Sequence, residues 1–588
     1  MTADITLTNE QINSLPLLLG ILDQMGIRQT IDAHLTPHGA WQGMSVGTVI
    51  SLWLAQMLIE HDHRLVRLRD WAAERQQTIE TLLGVPLRPT DCTDDRLASV
   101  LTMLGDPALQ ATLDRTLLQN WITLYHLPVT TMRLDSTSVS VYHEPVGPNS
   151  LLQCGHSKDH RPELRQFKAM LASLDPYGLP IAVQPVAGNR ADDGLYIPAY
   201  DAAITVVGHT DVLVVGDSKM GALATRGHIV AGGSRYLCAY RPPSATTELA
   251  AWVEQALNRA AQWQAITDLD PTTGELIPIA VLYEWTRPQA WTHPTTGAGV
   301  AWEERVLVVR SAQQQAGLRE RREATLARLT RDLEALRLPP TRGRKRYRTA
   351  AELQTVVATR VAAAKLTGIV DVTVREEPLP HGGTRWTVAT IAVDRAGWAA
   401  LVARLGWHVY VSNTTPTQYD APMLVRHYRQ QPIQERGFAR LKTRNLQIRP
   451  VYLRDETRIA GLLWLLTLAL RVLVLTEQRL RSALHERDET LAGLNPAGRQ
   501  QTTTRPTTER VIAVFSNITL TMLDGPAISL RHVTPLTPPQ HHILRLLELP
   551  SDLYDRVAVS PPTSIQVTND LYDRVAVSPP NLVMDLRE

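Results

Sequence analysis

Apolar side chains recur at helical spacing through the first 125 residues. The segments LPLLLGILDQMG, MSVGTVISLWLAQMLIE and RLASVLTMLGD place them three or four residues apart, which is typical of helices that bury one face. Asp94 and Asp95 precede the last segment as a helix N-cap followed by a first-turn acid. No strand pattern interrupts these helices, so we predict an all-α N-terminal domain over residues 1–127.

The pattern changes to β-strands after Thr131. MRLDSTSVSVY predicts a strand, and FKAMLASLDPYGLPIAVQPV predicts a hairpin around a Pro-Tyr-Gly turn. DVLVVGDSKMGA predicts a strand that runs into a helix, and YLCAYRPPS adds a further strand. These segments predict the first part of an α/β domain over residues 128–242.

A mixed segment follows, in which helical and strand patterns alternate. It predicts a helical hairpin over roughly 313–336 and 349–366, connected by PPTRGRKRYR, and then short strands such as RWTVATIAV. The α/β pattern returns at GWHVYVSN, and YRQQPIQERGFARLK predicts a helix. We therefore predict an insertion of mixed α+β structure over 243–405, and the second part of the α/β domain over 406–485.

The segment IAGLLWLLTLALRVLVL, residues 459–475, is nearly all apolar. Its length is at the margin of a membrane span, but Arg471 lies inside it, which favours a buried core helix and no membrane partner. The region 486–588 contains DLYDRVAVSPP at 552–562 and again at 570–580. Two copies do not make a solenoid, so we predict that the last 40 or so residues are a dispensable, poorly ordered extension.

The composition narrows the class of protein. A chain of 588 residues with 44% hydrophobic and 20% charged residues is expected to be globular, with more than one core. Three cysteines, Cys92, Cys154 and Cys238, supply neither a disulfide framework nor a four-thiolate zinc site. The acidic residues near the start do not resemble a secretory signal, so we expect a cytoplasmic protein.

Acidic residues at predicted strand ends are the strongest candidates for chemistry. Asp135 follows the run MRL, Asp217 follows VLVVG, and Glu435 lies in the helix predicted after VYVSN. Strand ends of one sheet and a neighbouring helix can bring such carboxylates together. Three carboxylates are hard oxygen ligands of the kind that Mg²⁺ or Mn²⁺ prefers. Two such ions could activate the attacking oxygen and stabilise the leaving oxygen of a phosphodiester.

The segment YRQQPIQE, followed by six residues and Lys442, resembles the Y-x₂-R-x₃-E-x₆-K signature of DDE transposases from bacterial insertion sequences. Tyr428, Glu435 and Lys442 match the signature, whereas Gln431 stands at its arginine position and Arg429 is a possible substitute. LDST and GDSK resemble the segments that carry the first and second aspartates of the family. GHSKDHRPELRQFK, residues 155–168, is similar to a stretch of its longer members, which have an extra helical N-terminal domain.

The resemblance implies an RNase H-like catalytic core interrupted by an insertion, within an α/β fold class. It implies that Asp135, Asp217 and Glu435 are catalytic and hold two Mg²⁺ ions. It also implies double-stranded DNA as the partner, both inverted-repeat ends and target, bound by at least a homodimer near the nucleoid. The side chains that we expect to contact DNA are Tyr428, Arg429, Gln431, Lys442, Lys219, Arg342, Arg344, Lys345 and Arg346.

Spacing gives separate support, since Tyr428, Glu435 and Lys442 are seven residues apart and would share one face of a continuous helix. A surface helix with coincidental spacing is the alternative. The basic segment RGRKRYR, residues 342–348, fits either a phosphate-contacting loop or a solvated hairpin tip. For the whole chain, the alternatives to a transposase are an inactive DNA-binding relic and a nuclease without strand transfer.

Three further groups of residues favour structural roles. Trp285, Trp291 and Trp302 lie where some relatives carry a base-holding tryptophan, but packing is the simpler role. Cys154, His156 and His160 lack a fourth zinc ligand. The adjacent Asp192 and Asp193 predict a turn or a helix cap rather than a metal site.

Overall fold

A computed structural model describes residues 5–144, 147, 150–241, 248–269, 274–338, 345–379, 382–494, 501–525 and 528–558. The chain divides into two compact units. The first consists of Met1–Ala98 with Thr476–Glu588, and the second of Ser99–Leu475.

The helices are α1 (Leu15–Gln24), α2 (Ile27–His34), α3 (Val46–Glu60), α4 (Leu65–Ala73), α5 (Gln76–Leu83), α6 (Asp94–Leu104), α7 (Pro107–Tyr125), α8 (Tyr196–Val207), α9 (Leu223–Ala231), α10 (Glu248–Asn258), α11 (Ala312–Glu334), α12 (Ala350–Ala363), α13 (Arg395–Ala403), α14 (Ala421–Arg429), α15 (Pro432–Ala439), α16 (Glu456–Glu486), α17 (Thr508–Val514) and α18 (Pro538–Leu546). The strands are β1 (Thr6–Gln11), β2 (Thr131–Val141), β3 (Arg165–Leu174), β4 (Leu179–Ala187), β5 (Leu213–Gly216), β6 (Arg235–Ala239), β7 (Gln264–Leu269), β8 (Leu276–Thr292), β9 (Gly299–Ser311), β10 (Val370–Pro378), β11 (Thr384–Val393), β12 (Trp407–Ser412), β13 (Leu491–Ala492), β14 (Thr502–Thr503), β15 (Thr519–Gly525) and β16 (Ile528–Val533).

The first unit contains a strand that the sequence did not predict. β1 pairs antiparallel with β15, which in turn pairs with β16, and Thr6 lies opposite Asp524. The expectation of an uninterrupted helical start is therefore wrong. Five of the six β1 residues are exposed, so the strand shows no apolar alternation, and its partner lies more than 500 residues away. Pairing at long range, rather than local pattern, forms this strand.

The first copy of the repeated segment is packed into the first unit. Tyr554 is 1% exposed, its ring stacks on Phe515 at 5.5 Å between ring centroids, and its hydroxyl donates to the Asn13 carbonyl at 2.8 Å. Leu553 and Val557 are also buried. The expected disorder is therefore wrong for residues 549–558, because these side chains complete an apolar core. The second copy, at 570–580, lies outside the described residues.

One nine-stranded sheet organises the second unit, in the order β4-β3-β2-β5-β6-β12-β9-β8-β7. β2, β5 and β6 are parallel, whereas β3 and β4 are antiparallel additions on the other side of β2. β12 pairs antiparallel with β6 on one side and with β9 on the other. It thereby joins the strands of residues 131–239 to those of residues 264–311, although it lies about 100 residues or more beyond both groups in sequence.

The segment predicted as an insertion contributes to this sheet. β7, β8 and β9 extend it, while α11, α12, β10 and β11 form a separate core cluster around Leu329, Leu353 and Val388. The predicted helical hairpin is confirmed by α11 and α12. One edge of the main sheet, formed by β7, β8 and β9, therefore belongs to the segment 243–405 that we predicted as an insertion.

The apolar run predicted as a core helix lies in α16. It is the one helix among the described residues that is long and apolar enough to cross a membrane, and 94% of its most apolar 18-residue window is buried. Arg471 donates to Asp114 Oδ1 at 2.6 Å and to the Pro180 and Ile181 carbonyls at 2.9 and 3.1 Å. The burial and these contacts within the second unit agree with a core helix.

Candidate active site

Two predicted acids lie side by side where parallel pairing ends. β2 and β5 pair from Thr131 opposite Leu213 to Leu134 opposite Gly216. Asp135 is the next residue of β2, which continues to Val141, and Asp217 is the first residue after β5. Neighbouring strands lie about 4.8 Å apart. Glycine at 216 suits this turn in the chain, because a Cβ there would lie 2.6 Å from the Met220 sulfur. The register thus brings Asp135 and Asp217 together.

Asp135 is held by groups of its own strand and by one lysine. Its Oδ1 accepts hydrogen bonds from the Ser136 amide at 2.7 Å and from Lys158 Nζ at 3.3 Å. Lys158 also donates to the carbonyl and the hydroxyl of Ser136. Burial raises the pKa of the Asp135 carboxyl, Lys158 opposes this shift, and the nearby Asp217 adds to it. The positive charge of Lys158 therefore offsets the negative charge of one carboxylate of the pair, that of Asp135.

Asp217 is oriented from α8 and from its own turn. Its Oδ1 accepts from the Tyr196 hydroxyl at 2.6 Å and from the Lys219 amide at 2.8 Å. Burial and the charge of Asp217 raise the pKa of Tyr196 well above its ordinary value, so this hydroxyl remains a donor. No pattern in the sequence singled out Tyr196, whereas Lys158 stands in the 155–168 segment already noted for its resemblance.

A small, shallow cleft opens over the two aspartates. Its other lining residues are Arg133, Leu134, Val215, Gly216, Tyr428, Gln431 and Gln434. Arg133 is buried and paired with both carboxylate oxygens of Asp175 at 2.7 and 2.8 Å, and it also donates to the His427 carbonyl. The hydrogen bond to His427 connects the end of α14 to β2, and so fixes one wall of the cleft.

The segment from Tyr428 to Lys442 is not one helix, which corrects the predicted alignment on one face. α14 ends at Arg429, α15 begins with Pro432, and Arg440–Arg444 form a π-helical turn. Proline has no amide hydrogen and is suited to the first turn of a new helix, so Pro432 was a signal for this break.

Glu435 is exposed, and Gln434 takes the inward position instead. Gln434 is 3% exposed, lines the cleft, and donates to the Leu171 carbonyl at 3.1 Å. Adjacent side chains on an α-helix point about 100° apart, so only one of the two can face the sheet. Among the described residues, no three His, Cys, Asp or Glu side chains form a metal-binding group. The expected three-carboxylate cluster is thus present only as the pair Asp135 and Asp217.

The remaining signature residues lie in different places. Tyr428 packs on Tyr410 with 4.3 Å between ring centroids, and burial raises its pKa. Gln431 lines the cleft, whereas Arg429 donates to the Ser311 hydroxyl, so the structure does not put Arg429 in place of the missing arginine. Lys442 donates to the Thr137 hydroxyl at 3.1 Å and to Asp159 at 2.5 Å.

The other predicted DNA contacts are outside the cleft. The Lys219 side chain is half exposed and lies 3.5 Å from Asp193, Lys345 pairs with Glu352, and Arg346 donates to the Thr384 carbonyl. Arg342 and Arg344 fall outside the described residues.

The structure gives packing contacts to the three tryptophans. Trp285 contacts Trp252, Trp291 contacts His293, and Trp302 donates to the Tyr236 hydroxyl at 2.9 Å. Residues 192–195 form a short 3₁₀ helix, as the adjacent aspartates predicted, and Asp192 pairs with Lys168. Cys154 is exposed and free.

The donors at the cleft fit one hard divalent cation. Two carboxylates with converging positions supply anionic oxygen ligands, and such ions complete their coordination with water and substrate phosphate oxygens. The charge of Asp217 disfavours ionisation of Asp135, so the pair gains from a cation between them. No cysteine, methionine or histidine is among the described residues that line the cleft, which suits Mg²⁺ or Mn²⁺ among the metals that proteins use.

Comparisons with known proteins place this site in a family. No curated protein matches the sequence. Among solved structures, a cryo-EM structure of the piggyBac transposase synaptic complex with hairpin DNA aligns over 94% of this chain and 87% of that chain, at 9% identity and a TM-score of 0.30. So low a score carries no argument. The family model for the transposase DDE domain matches residues 131–472, which is more than half of the chain and includes the cleft. The protein therefore belongs to the DDE transposase family.

Proposed function

We propose that the protein is an active DNA transposase whose carboxylate pair, Asp135 and Asp217, holds the divalent cation for phosphodiester chemistry. The observation that carries the proposal is their alignment where the parallel pairing of β2 and β5 ends, with Asp135 inside β2 and Asp217 directly after β5, within the matched domain. When bound, Mg²⁺ or Mn²⁺ would polarise a phosphoryl oxygen and make an attacking oxygen more nucleophilic. The resemblance implies two ions, and residues 128–242 together with 406–485 are our proposed RNase H-like core.

The proposed reaction has two transfers. Water attacks at the element end and frees a 3′-hydroxyl, which then attacks target DNA in line. The protein's own groups would contribute positioning and charge: Tyr196 orients Asp217, and Lys442 binds a non-bridging phosphate oxygen. Lys158 compensates Asp135 when no cation is bound. Glu435 remains our proposed third carboxylate, and it would have to turn from its exposed position toward the cleft.

The proposed partner is double-stranded DNA, bound at inverted-repeat ends and at the target by at least a homodimer in the bacterial cytoplasm. The N-terminal helices are our candidate for recognition of the ends. Tyr428, Gln431 and Lys442 would contact DNA at the cleft. Lys219, Arg429, Lys345 and Arg346 would contact it further along, with Arg342 and Arg344 beside the last two.

The test uses purified protein, labelled DNA carrying the element ends, and Mg²⁺ or Mn²⁺. We expect nicking and then joined products from the wild type, and none from Asp135→Asn or Asp217→Asn. Asp211→Asn is the matched control, because Asp211 precedes β5, at its opposite end from Asp217, and its side chain is 78% exposed. Full cleavage by Asp217→Asn would show the cation assignment to be wrong.

The same experiment separates the rival functions. An inactive relic would bind the ends without nicking them, and a nuclease would nick without joined products. Cation binding is measured independently by thermal unfolding, since a ligand that binds only the folded state stabilises it by about 2.7 kcal/mol at one hundred times its Kd. The two asparagine variants should lose this stabilisation, and Asp211→Asn should keep it.

A further inference from the structure

A short segment between β2 and β3 is fixed against β2 by its own hydrogen bonds. The Ser157 hydroxyl is buried and accepts from the amides of Asp159 and Arg161 at 3.2 and 3.3 Å. The Lys158 amide donates to the Ser138 hydroxyl at 3.2 Å. Residues 157–161 are therefore held to the strand that carries Asp135.

Two adjacent residues of this segment, Lys158 and Asp159, pair with charged groups from different parts of the chain. Lys158 contacts Asp135, while Asp159 accepts from Lys442 at 2.5 Å and from Arg449 at 3.0 Å. The Asp159 and Lys442 side chains are 16% and 10% exposed. One carboxylate thus holds two cations that arrive from a distant part of the chain.

The position of Lys442 relative to the aspartates follows from β2. Its ammonium also donates to the Thr137 hydroxyl. Thr137 is two residues beyond Asp135, so both side chains are on one face of the strand, about 7 Å apart along it. Lys442 therefore lies on the same face as the cation site.

The backbone around Lys442 does not fix the side chain by itself. Lys442 lies in the π-helical turn Arg440–Arg444, and lysine has a flexible four-carbon stem. Burial lowers the pKa of Lys442, and the Asp159 carboxylate opposes that shift. Asp159 thus keeps a partly buried ammonium both charged and in one place.

We propose that Asp159 is a positioning residue that holds the Lys442 ammonium beside the carboxylate pair, ready for a phosphate oxygen. The binding of phosphate by Lys442 rests on the proposed function. The ion pair of Asp159 with Lys442, which we call the clamp, does not. Asp159 does not touch the reacting atoms and acts through Lys442. On DNA binding, a phosphate would meet an ammonium whose location is already set, which reduces the ordering cost in the transition state.

The first test replaces Asp159 by asparagine, which keeps the shape but removes the charge. Glu163→Gln is the matched control, because Glu163 is in the same loop, pairs with Arg161, and has a 57% exposed side chain. We expect Asp159→Asn to slow single-turnover cleavage about tenfold or more, since small misplacements of catalytic groups are costly. Affinity for the DNA ends should stay within about threefold, because removing an acid does not weaken phosphate attraction. Wild-type cleavage by a folded Asp159→Asn variant would overturn the proposal.

A double-mutant cycle shows whether Asp159 acts through Lys442. In a Lys442→Ala background, Asp159→Asn should cause little additional loss, because the two changes remove one coupled interaction. If Asp159→Asn reduced the cleavage rate by the same factor in the wild type and in the Lys442→Ala variant, the positioning role would be overturned. Asp159→Glu, which keeps the charge but shifts it by one methylene, should cleave faster than Asp159→Asn, and it replaces that variant if asparagine prevents folding. A folded glutamate variant no faster than Lys442→Ala would equally contradict the proposal.

A second measurement does not depend on activity. Acylation of lysines by a water-soluble ester, followed by mass spectrometry, compares Lys442 with the exposed Lys365 in the same sample. We expect Lys442 labelling to rise several-fold in Asp159→Asn and to stay unchanged in Glu163→Gln. Unchanged labelling in Asp159→Asn would refute the clamp. A rise in labelling in a protein that cleaves no DNA would leave the clamp standing and refute the proposed function.

Discussion

Gln434 faces the cleft over Asp135 and Asp217, whereas the next residue, Glu435, is exposed. The two side chains lie on the first turn of α15. Glu435 was expected both to face the cleft and to supply a carboxylate, but in the structure it is Gln434 that faces the cleft. Gln434 ties the helix to the sheet, and Glu435 has the chemistry that the signature requires.

Replacement of these neighbours should separate stability from catalysis. Gln434→Ala removes the donor to the buried Leu171 carbonyl and should destabilise the protein by about 1 to 3 kcal/mol. Glu435→Gln should leave stability within about 0.5 kcal/mol, as for other surface changes, but abolish DNA cleavage. Urea unfolding and a nicking assay on both variants provide the check. Undiminished cleavage by Glu435→Gln would remove Glu435 from the catalytic residues.

The Arg471–Asp114 pair in the core of the second unit gives a large stability prediction. Arg471→Leu leaves the Asp114 carboxylate buried with the Trp464 indole as its one side-chain donor among the described residues, and should cost about 3 to 5 kcal/mol. Adding Asp114→Asn to that variant should recover part of the loss, because the unpaired charge is gone. Urea unfolding measures both.

Arg479→Leu is the control, since Arg479 lies further along α16 and pairs with the 62% exposed Glu548. Its loss should be about 1 kcal/mol or less. Similar losses of unfolding free energy in Arg471→Leu and Arg479→Leu would show that the buried pair of Arg471 contributes no more to stability than the exposed pair of Arg479.

His63 gives the first unit a defined dependence on pH. Its side chain is 5% exposed, and burial lowers its pKa to about 4, against the partial opposition of Asp62. The folded state therefore binds this proton less readily than the unfolded state, whose histidine has a pKa near 6.5. Stability should fall as pH drops below 6.5, by about 2 kcal/mol between pH 7 and pH 5, and the loss should end near pH 4.

Chemical denaturation at several pH values measures this slope. His63→Asn cannot take up the proton and should flatten the curve between pH 7 and pH 5. The exposed His61, two residues earlier, provides a matched His61→Asn control that should keep the wild-type slope. An unchanged slope in His63→Asn would assign the acid sensitivity to another group.

The packed copy of the repeat makes Tyr554 a test of the C-terminal region. Tyr554→Ala should cost about 3 to 5 kcal/mol, because it empties a buried aromatic site against Phe515. Tyr554→Phe should cost about 1 kcal/mol, the contribution of the hydroxyl bond to Asn13. Tyr452→Ala, at a 61% exposed tyrosine, is the control for thermal unfolding. A fully stable Tyr554→Ala variant would restore the view that this region is dispensable.

Much of the site was accessible from the sequence because its signals are local. Asp135 and Asp217 each follow a short apolar run, and the parallel pairing of these two runs brings the aspartates together, although β2 continues beyond Asp135. The structure also gives a common role to most of the six lysines of the chain. Four of them pair with aspartates: Lys158 with Asp135, Lys168 with Asp192, Lys219 with Asp193, and Lys442 with Asp159.

The features that the sequence did not predict depend on contacts between distant segments. Tyr196 meets Asp217 only through the packing of α8, and β1 exists because β15 pairs with it. The inward position of Gln434 depends on where α15 starts, because a shift of one residue at Pro432 would rotate the side chains by about 100° around the helix axis. Periodicity measured across that break treats three short elements as one.

The placement of β12 between β6 and β9 has a consequence for synthesis of the chain. The free edge of β6 is paired only when β12 has been synthesised, since Ala239 pairs with Tyr410, 171 residues later. At about 5 to 20 residues per second, that interval is roughly 10 to 30 s on the ribosome. During this time the nascent protein exposes the edges of two unfinished half-sheets, which are templates for association with other chains. The pairing of β12 is therefore also the step that removes these two edges from contact with other chains.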